Sequence, residues 1–149
     1  MKYYLAYGSN LSVEQMEWRC PDASYVGYGF IEDYRLLFRR GYLTVEPESG
    51  SKVPVLVWQV SKSDEKALDY YEGWPKFYRK EEALIEVFDL ENGRSLGTVK
   101  AFVYVMNDGF KLQAPTVRYW DVCLEGYRRF GFDENILKKA LFDSIKKSL

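Results

Sequence analysis

The period of apolar and polar positions changes several times along the chain, and each change marks an element. Residues 2–7, Lys2-Tyr3-Tyr4-Leu5-Ala6-Tyr7, form a short aromatic run that meets Gly8-Ser9-Asn10, a pattern that predicts a buried strand ending abruptly in a loop. Ser12, with Gln15 three residues later, has the form of a capping box for one or two helical turns closed by Cys20-Pro21. Between Tyr25 and Val60 the pattern is β: runs at 25–30, 34–38, 42–45 and 53–60 are rich in aromatic and branched residues. Turn signals at Arg40-Gly41 and at Pro47-Glu48-Ser49-Gly50 separate the later runs and predict a meander. Ser61 or Ser63 then caps a short helix with Asp64 and Glu65 in its first turn, stopped by Glu72-Gly73-Trp74-Pro75. Residues 78–88 and 98–106 flank Glu91-Asn92-Gly93 and read as a hairpin.

Two helices follow. The first starts near Pro115 and repeats Val117, Trp120, Cys123, Leu124 and Tyr127 at helical spacing. The second carries Ile136, Leu137, Ala140, Leu141 and Ile145 against Lys138, Lys139, Lys146 and Lys147, which read as a solvated face. About six strands before two late helices indicate an α+β fold, a mixed and strongly bent sheet or small barrel with flanking helices. With no linker, repeat or low-complexity tract, residues 1–149 read as a single domain.

Composition narrows the chemistry. The chain has no histidine, which removes Ser-His-Asp and Cys-His catalysis and leaves Asp, Glu, Lys, Tyr or Cys for proton transfer. Lys and Arg total 21 against 22 Asp and Glu, so the field that nucleic acid or an anionic membrane requires is missing, and neither is expected as a partner. Cys20 and Cys123 fit no CxxC or zinc spacing and read as reduced thiols. Residues 2–7 reach Gly8 too soon for a signal-peptide core, and no run of 18 apolar residues occurs, so a soluble cytoplasmic protein is expected.

Three places could carry chemistry. Tyr7-Gly8-Ser9-Asn10 can turn several N–H groups toward one point and so hold an anion, or it can be a plain turn. Glu72 stands beside Gly73, Trp74, Phe77 and Tyr78, where desolvation would raise its pKa, or it is a solvated surface carboxylate. Tyr119 lies between two core positions of the late helix and can line a cavity or simply pack. Glu81-Glu82 falls on a strand, which turns the two side chains to opposite faces and prevents a carboxylate pair.

Three segments together resemble the γ-glutamylcyclotransferase family, including its AIG2-like and γ-glutamylamine branches. They are Tyr4-Leu5-Ala6-Tyr7-Gly8-Ser9-Asn10-Leu11, then Asp69-Tyr70-Tyr71-Glu72-Gly73 followed by Tyr78, and finally Pro115-Thr116 with Tyr119, Val122 and Gly126. The resemblance implies a mixed α+β fold around a small barrel and release of an amine or amino acid from a γ-glutamyl amide as 5-oxoproline forms, as in glutathione metabolism. It implies Glu72 as proton acceptor, Tyr7, Gly8, Ser9, Asn10 and Tyr119 as substrate-binding residues, and Tyr78 as a further pocket residue. A γ-glutamyl compound carries its own nucleophile, the α-amine, so the implied reaction needs no metal, nucleotide or other cofactor. Glu82 would be the next carboxylate to consider. The alternative is a module of the same fold that binds and senses a γ-glutamyl metabolite without turning it over.

Overall fold

The architecture grows from one long antiparallel pair. A computed structural model describes residues 1–146. β1 (Lys2–Ala6) leads into a 3-10 turn at Ser9–Leu11 and then α1 (Val13–Arg19). β2 (Ser24–Arg39) and β3 (Tyr42–Val60) follow, then α2 (Lys62–Glu72), β4 (Tyr78–Phe88), β5 (Ser95–Met106), α3 (Val117–Phe130) and α4 (Glu134–Lys146). The strands close into a barrel in the order β1-β3-β2-β4-β5. A parallel pairing of Tyr3 with Ala101 and Tyr4 with Phe102 joins the first strand to the last. The fold is α+β.

Several expectations are corrected. The four runs between Tyr25 and Val60 are two continuous strands, so the barrel has five strands and the crossed order is no simple meander. Pro47-Glu48-Ser49-Gly50 does not reverse the chain. There the β2–β3 pairing shifts register between Glu32 and Tyr34, and Asp33, at φ 61°, accepts the Gly50 N–H through its Oδ1 at 2.9 Å, so the turn-forming residues serve a bulge inside a long hairpin. The β4–β5 hairpin begins its second strand at Ser95 and closes through Asp89–Arg94.

Helix ends carry local logic. Ser61, not Ser63, caps α2: its hydroxyl accepts the Asp64 N–H at 3.1 Å while Asp64 Oδ2 accepts the Ser61 N–H at 3.0 Å. Ser12 makes only its own half of the expected box, accepting the Gln15 N–H at 3.3 Å, because the Gln15 side chain accepts from Arg19 instead. In α3, Cys123 and Tyr127 are buried, whereas Val117 is 77% exposed, on the outer side of a first turn whose Tyr119 and Trp120 pack against Phe38. α4 packs on β2, where buried Ser144 accepts the Phe38 N–H at 2.9 Å and donates to Ala140 O at 2.7 Å. Lys138 and Lys139 pair along the helix with Glu134 and Asp143, while the side chain of Lys146 and all of Lys147 lie outside the described residues. Cys20 and Cys123 are free and buried. Among the described residues no helix is long and apolar enough to cross a membrane.

Candidate functional site

Four element ends converge at one side of the barrel: the turn after β1, the start of β3, the α2 C-terminus and the first turns of α3. Two glycines permit the approach. Gly73 ends α2 in the left-handed conformation at φ 69°, and a Cβ there would lie 2.6 Å from the Phe77 ring. A Cβ on Gly126 would lie 2.5 Å from the Leu11 Cβ, so the missing side chain lets α3 press directly on the Ser9–Leu11 turn.

Between these ends lies a cavity of about 340 Å³ whose lining includes Tyr7, Gly8, Ser9, Asn10, Glu72, Tyr78 and Tyr119. The sequence pattern singled out all seven, and the fold brings all seven together. Glu72 is the one carboxylate among the lining residues. Desolvation pushes its pKa up to about 7, against a smaller lowering by the Arg19 guanidinium. Its negative charge in turn helps hold Tyr4, Tyr7, Tyr78, Tyr104 and Tyr119 neutral, although burial is the main cause for each. Glu82 points elsewhere, 65% exposed and paired with Lys100, while Glu81 pairs with Arg79.

Several side chains expected to meet a ligand are committed to the scaffold. The Tyr7 hydroxyl donates to Tyr104 O at 2.6 Å. Asn10 donates to the Tyr4 hydroxyl at 2.9 Å and accepts from Arg19, and its carbonyl takes the Trp58 indole N–H at 3.2 Å. What Asn10 keeps for a ligand is its backbone N–H, since the first N–H groups of a helical turn have no partner within it. Ser9 Oγ is 2.7 Å from the Tyr71 hydroxyl. The Leu43 peptide is gripped from both sides: Tyr78 donates to its carbonyl at 2.9 Å, and Tyr119 accepts its N–H at 3.2 Å. Tyr119 therefore has its own O–H to donate, with the Cys123 thiol, whose burial-raised pKa it lowers in part, within reach.

Other lining residues were not singled out. Tyr71 stacks on the Arg19 guanidinium, 3.4 Å from its ring centroid, which holds that cation near Glu72. Tyr104 donates to Asp69 at 2.6 Å, and Asp69 shares Lys80 with Glu65, tying α2 to β4 and β5. Arg40 and Tyr42 complete the wall from the β2–β3 turn. Their signal was the tight Arg40-Gly41 reversal itself, whose side-chain destination depends on closure of the barrel.

Comparison with known proteins identifies the family and the fold. Gamma-glutamylcyclotransferase of Homo sapiens is 32% identical over 81 residues, covering 47% of this chain and 43% of that protein, so the match spans less than half of the relative. A solved structure described as gamma-glutamyl cyclotransferase superposes with a TM-score of 0.76 over 93% of this chain and 85% of its own, at 22% identity. An AIG2-like protein from Mus musculus gives 0.57 over 70% of this chain and 76% of its own, also at 22% identity. At that identity the two structures speak for the fold alone. The family model described as "Gamma-glutamyl cyclotransferase, AIG2-like" matches residues 4–128, which contain every segment that lines the cavity, and the chain belongs to that family.

Proposed function

We propose that this protein cyclises the γ-glutamyl group of a small γ-glutamyl amide to 5-oxoproline with release of the free amine, and that Glu72 carries the proton. The observation that carries this reading is a single carboxylate, with pKa about 7, set in a cavity otherwise lined by uncharged residues and one arginine. A carboxyl near neutrality can take a proton and return it within one turnover, which an ordinary carboxylate does poorly.

In this mechanism Glu72 takes a proton from the substrate α-ammonium and frees the amine. The amine nitrogen attacks the δ-carbonyl carbon, a new C–N bond closes the five-membered ring, and negative charge develops on the carbonyl oxygen. Collapse breaks the original amide bond as Glu72 returns its proton to the departing nitrogen; the carboxylate then takes the surplus proton from the ring nitrogen, leaving the lactam N–H, and passes it to the released amine. The amides of Gly8, Ser9 and Asn10 hold the α-carboxylate or the developing oxyanion. Tyr119 donates its remaining O–H to the folded substrate, while Tyr7 and Tyr78 keep the walls fixed. Closing the ring needs orientation more than chemical power, since the nucleophile and electrophile belong to one molecule.

The test is incubation of the purified protein with γ-glutamyl amino acids and amines, following 5-oxoproline, alongside Glu72→Gln. Turnover by the wild type and a fall of about 10²–10⁴-fold in kcat for the variant are expected. Binding without product in the wild type would replace the enzyme by a sensor of the same ligands. Unchanged kcat in a folded Glu72→Gln protein would remove Glu72 as the base.

A further inference from the structure

Arg40 is the one formally cationic residue in the cavity wall, and its guanidinium makes no ion pair or side-chain hydrogen bond among the described residues. Three aromatic rings hold it instead, with centroids at 4.0 Å for Phe77, 5.2 Å for Phe110 and 5.3 Å for Tyr42. Stacking of this kind fixes a guanidinium plane and leaves its N–H edge open to an acceptor. The cation that lowers the Glu72 pKa is Arg19, whereas Arg40 acts on the Tyr78 hydroxyl.

The backbone supplies a second, independent observation. Arg39 pairs with Tyr42, so Arg40 and Gly41 form a two-residue hairpin turn, with φ of 56° and 80° respectively. Such a turn favours Asn, Asp or Gly at both positions, and an arginine there costs backbone energy. The turn is also clamped, because the Arg40 N–H donates to Lys111 O at 3.1 Å and Gln113 donates to Phe38 O at 3.1 Å. An arginine in a strained but rigidly held position, with an unpaired planar cation facing a cavity, is arranged for a planar anion.

We infer that Arg40 is a specificity residue that binds a carboxylate on the amine half of the substrate, so that γ-glutamyl amino acids are preferred over uncharged or cationic γ-glutamyl amines. The inference rests on the proposed reaction and adds a selectivity to it. The glutamyl α-carboxylate falls to the Gly8–Asn10 amides, whereas Arg40 stands across the cavity wall beside Tyr42, which is 45% exposed.

The experiment compares γ-glutamyl-alanine with γ-glutamyl-ethylamine, two amides that differ only by that carboxylate. Dissociation constants are measured by calorimetry in the Glu72→Gln background, where ligand survives, and kcat/KM in the Glu72 protein, each with Arg40 and with Arg40→Asn. Asn suits the positive φ but gives up the contacts with Phe77, Phe110 and Tyr42, so thermal unfolding of each variant separates a folding loss from a binding loss. Expected is a preference for the alanine amide of about 10-fold or more, abolished by Arg40→Asn, with the ethylamine compound unaffected. Equal weakening of both ligands would assign Arg40 to the glutamyl carboxylate and overturn the inference, as would no effect on either. An Arg40-dependent preference in binding without any 5-oxoproline would uphold the inference and refute the reaction. Turnover of both compounds indifferent to Arg40 would do the reverse, and binding of neither would sink both.

Discussion

Replacing Glu72 by Gln should make the protein more stable, and only above a defined pH. Burial raises this carboxyl from 4.5 to about 7, so between those values the folded protein retains a proton that the unfolded chain has released. Below about pH 4.5 both states are protonated and Glu72 contributes nothing. As pH rises from 4.5 toward 7 the unfolded chain gains the free energy of ionisation that the folded protein forgoes, and wild-type stability falls; above about 7 the folded carboxyl ionises too and the full cost is present. A gap of that size corresponds to about 3 kcal/mol at ~1.36 kcal/mol per pH unit. Gln is nearly isosteric with the neutral acid and cannot ionise, so it escapes the penalty. For a domain of this size that is about 6–12 °C in Tm at pH 8.5, shrinking toward zero at pH 4.5. Paired calorimetric scans of the two proteins from pH 4.5 to 8.5 measure the difference without any substrate. A Tm difference that stays constant across the range, or one that grows toward acid, would refute the assignment of a buried, raised carboxyl to this position.

Three further outcomes follow from the same geometry. If ionised Glu72 is the base, kcat/KM should rise with pH through about 7, and Arg19→Met, which removes the charge that lowers the Glu72 pKa, should move that acid limb upward in a pH-rate profile. A limb left in place would detach Arg19 from the site. Tyr119→Phe leaves the Leu43 N–H without its acceptor, so denaturant unfolding should show a loss of about 1–3 kcal/mol, with a milder activity loss than Glu72→Gln, shared between kcat and KM. Gly126→Ala drives a Cβ against Leu11 and should cost about 1–3 kcal/mol, while KM rises because the Ser9–Leu11 turn is displaced; an unchanged KM would mean that α3 does not position that turn.

What the sequence made legible is what local chemistry decides. The stop of β1 at a Gly-Ser-Asn loop, the Ser61 cap and the left-handed Gly73 each follow from neighbours a few residues away, and these ends carry Glu72 and the loop amides. Strand count was harder, because Asp33 and Gly50 signal a turn in isolation but form a bulge once β2 and β3 pair. Val117 keeps helical spacing with the core residues, yet is exposed while Tyr119 and Trp120 of the same turn meet Phe38. The assignment of hydroxyls was illegible for a related reason: whether Tyr7 donates to a ligand or to Tyr104 O is set by partners 97 positions apart. Arg40 escaped notice because its value lies in what it lacks, and an absent counter-ion has no sequence signature.

The parallel seam between β1 and β5 bears on the order in which the molecule comes apart. It holds together at Tyr3–Ala101 and Tyr4–Phe102, beside a β2–β3 hairpin whose register runs over fourteen residue pairs from Ser24–Gln59 to Arg39–Tyr42. Hairpin contacts close short loops, whereas the seam must bring the two ends of the barrel together across most of the chain, so it should form late and open early. The Gly8–Asn10 loop hangs directly from β1, and the only strand residue that reaches across to its Asn10 carbonyl among the described residues is Trp58 of β3. Native-state hydrogen exchange should accordingly find the amides of residues 3–6 and 101–104 less protected than those of residues 36–45, and ligand affinity should vanish in denaturant while the hairpin is still intact. The cavity is then the first thing the barrel loses on unfolding and the last it makes on folding, and a ligand that fills it acts as the latch on the seam.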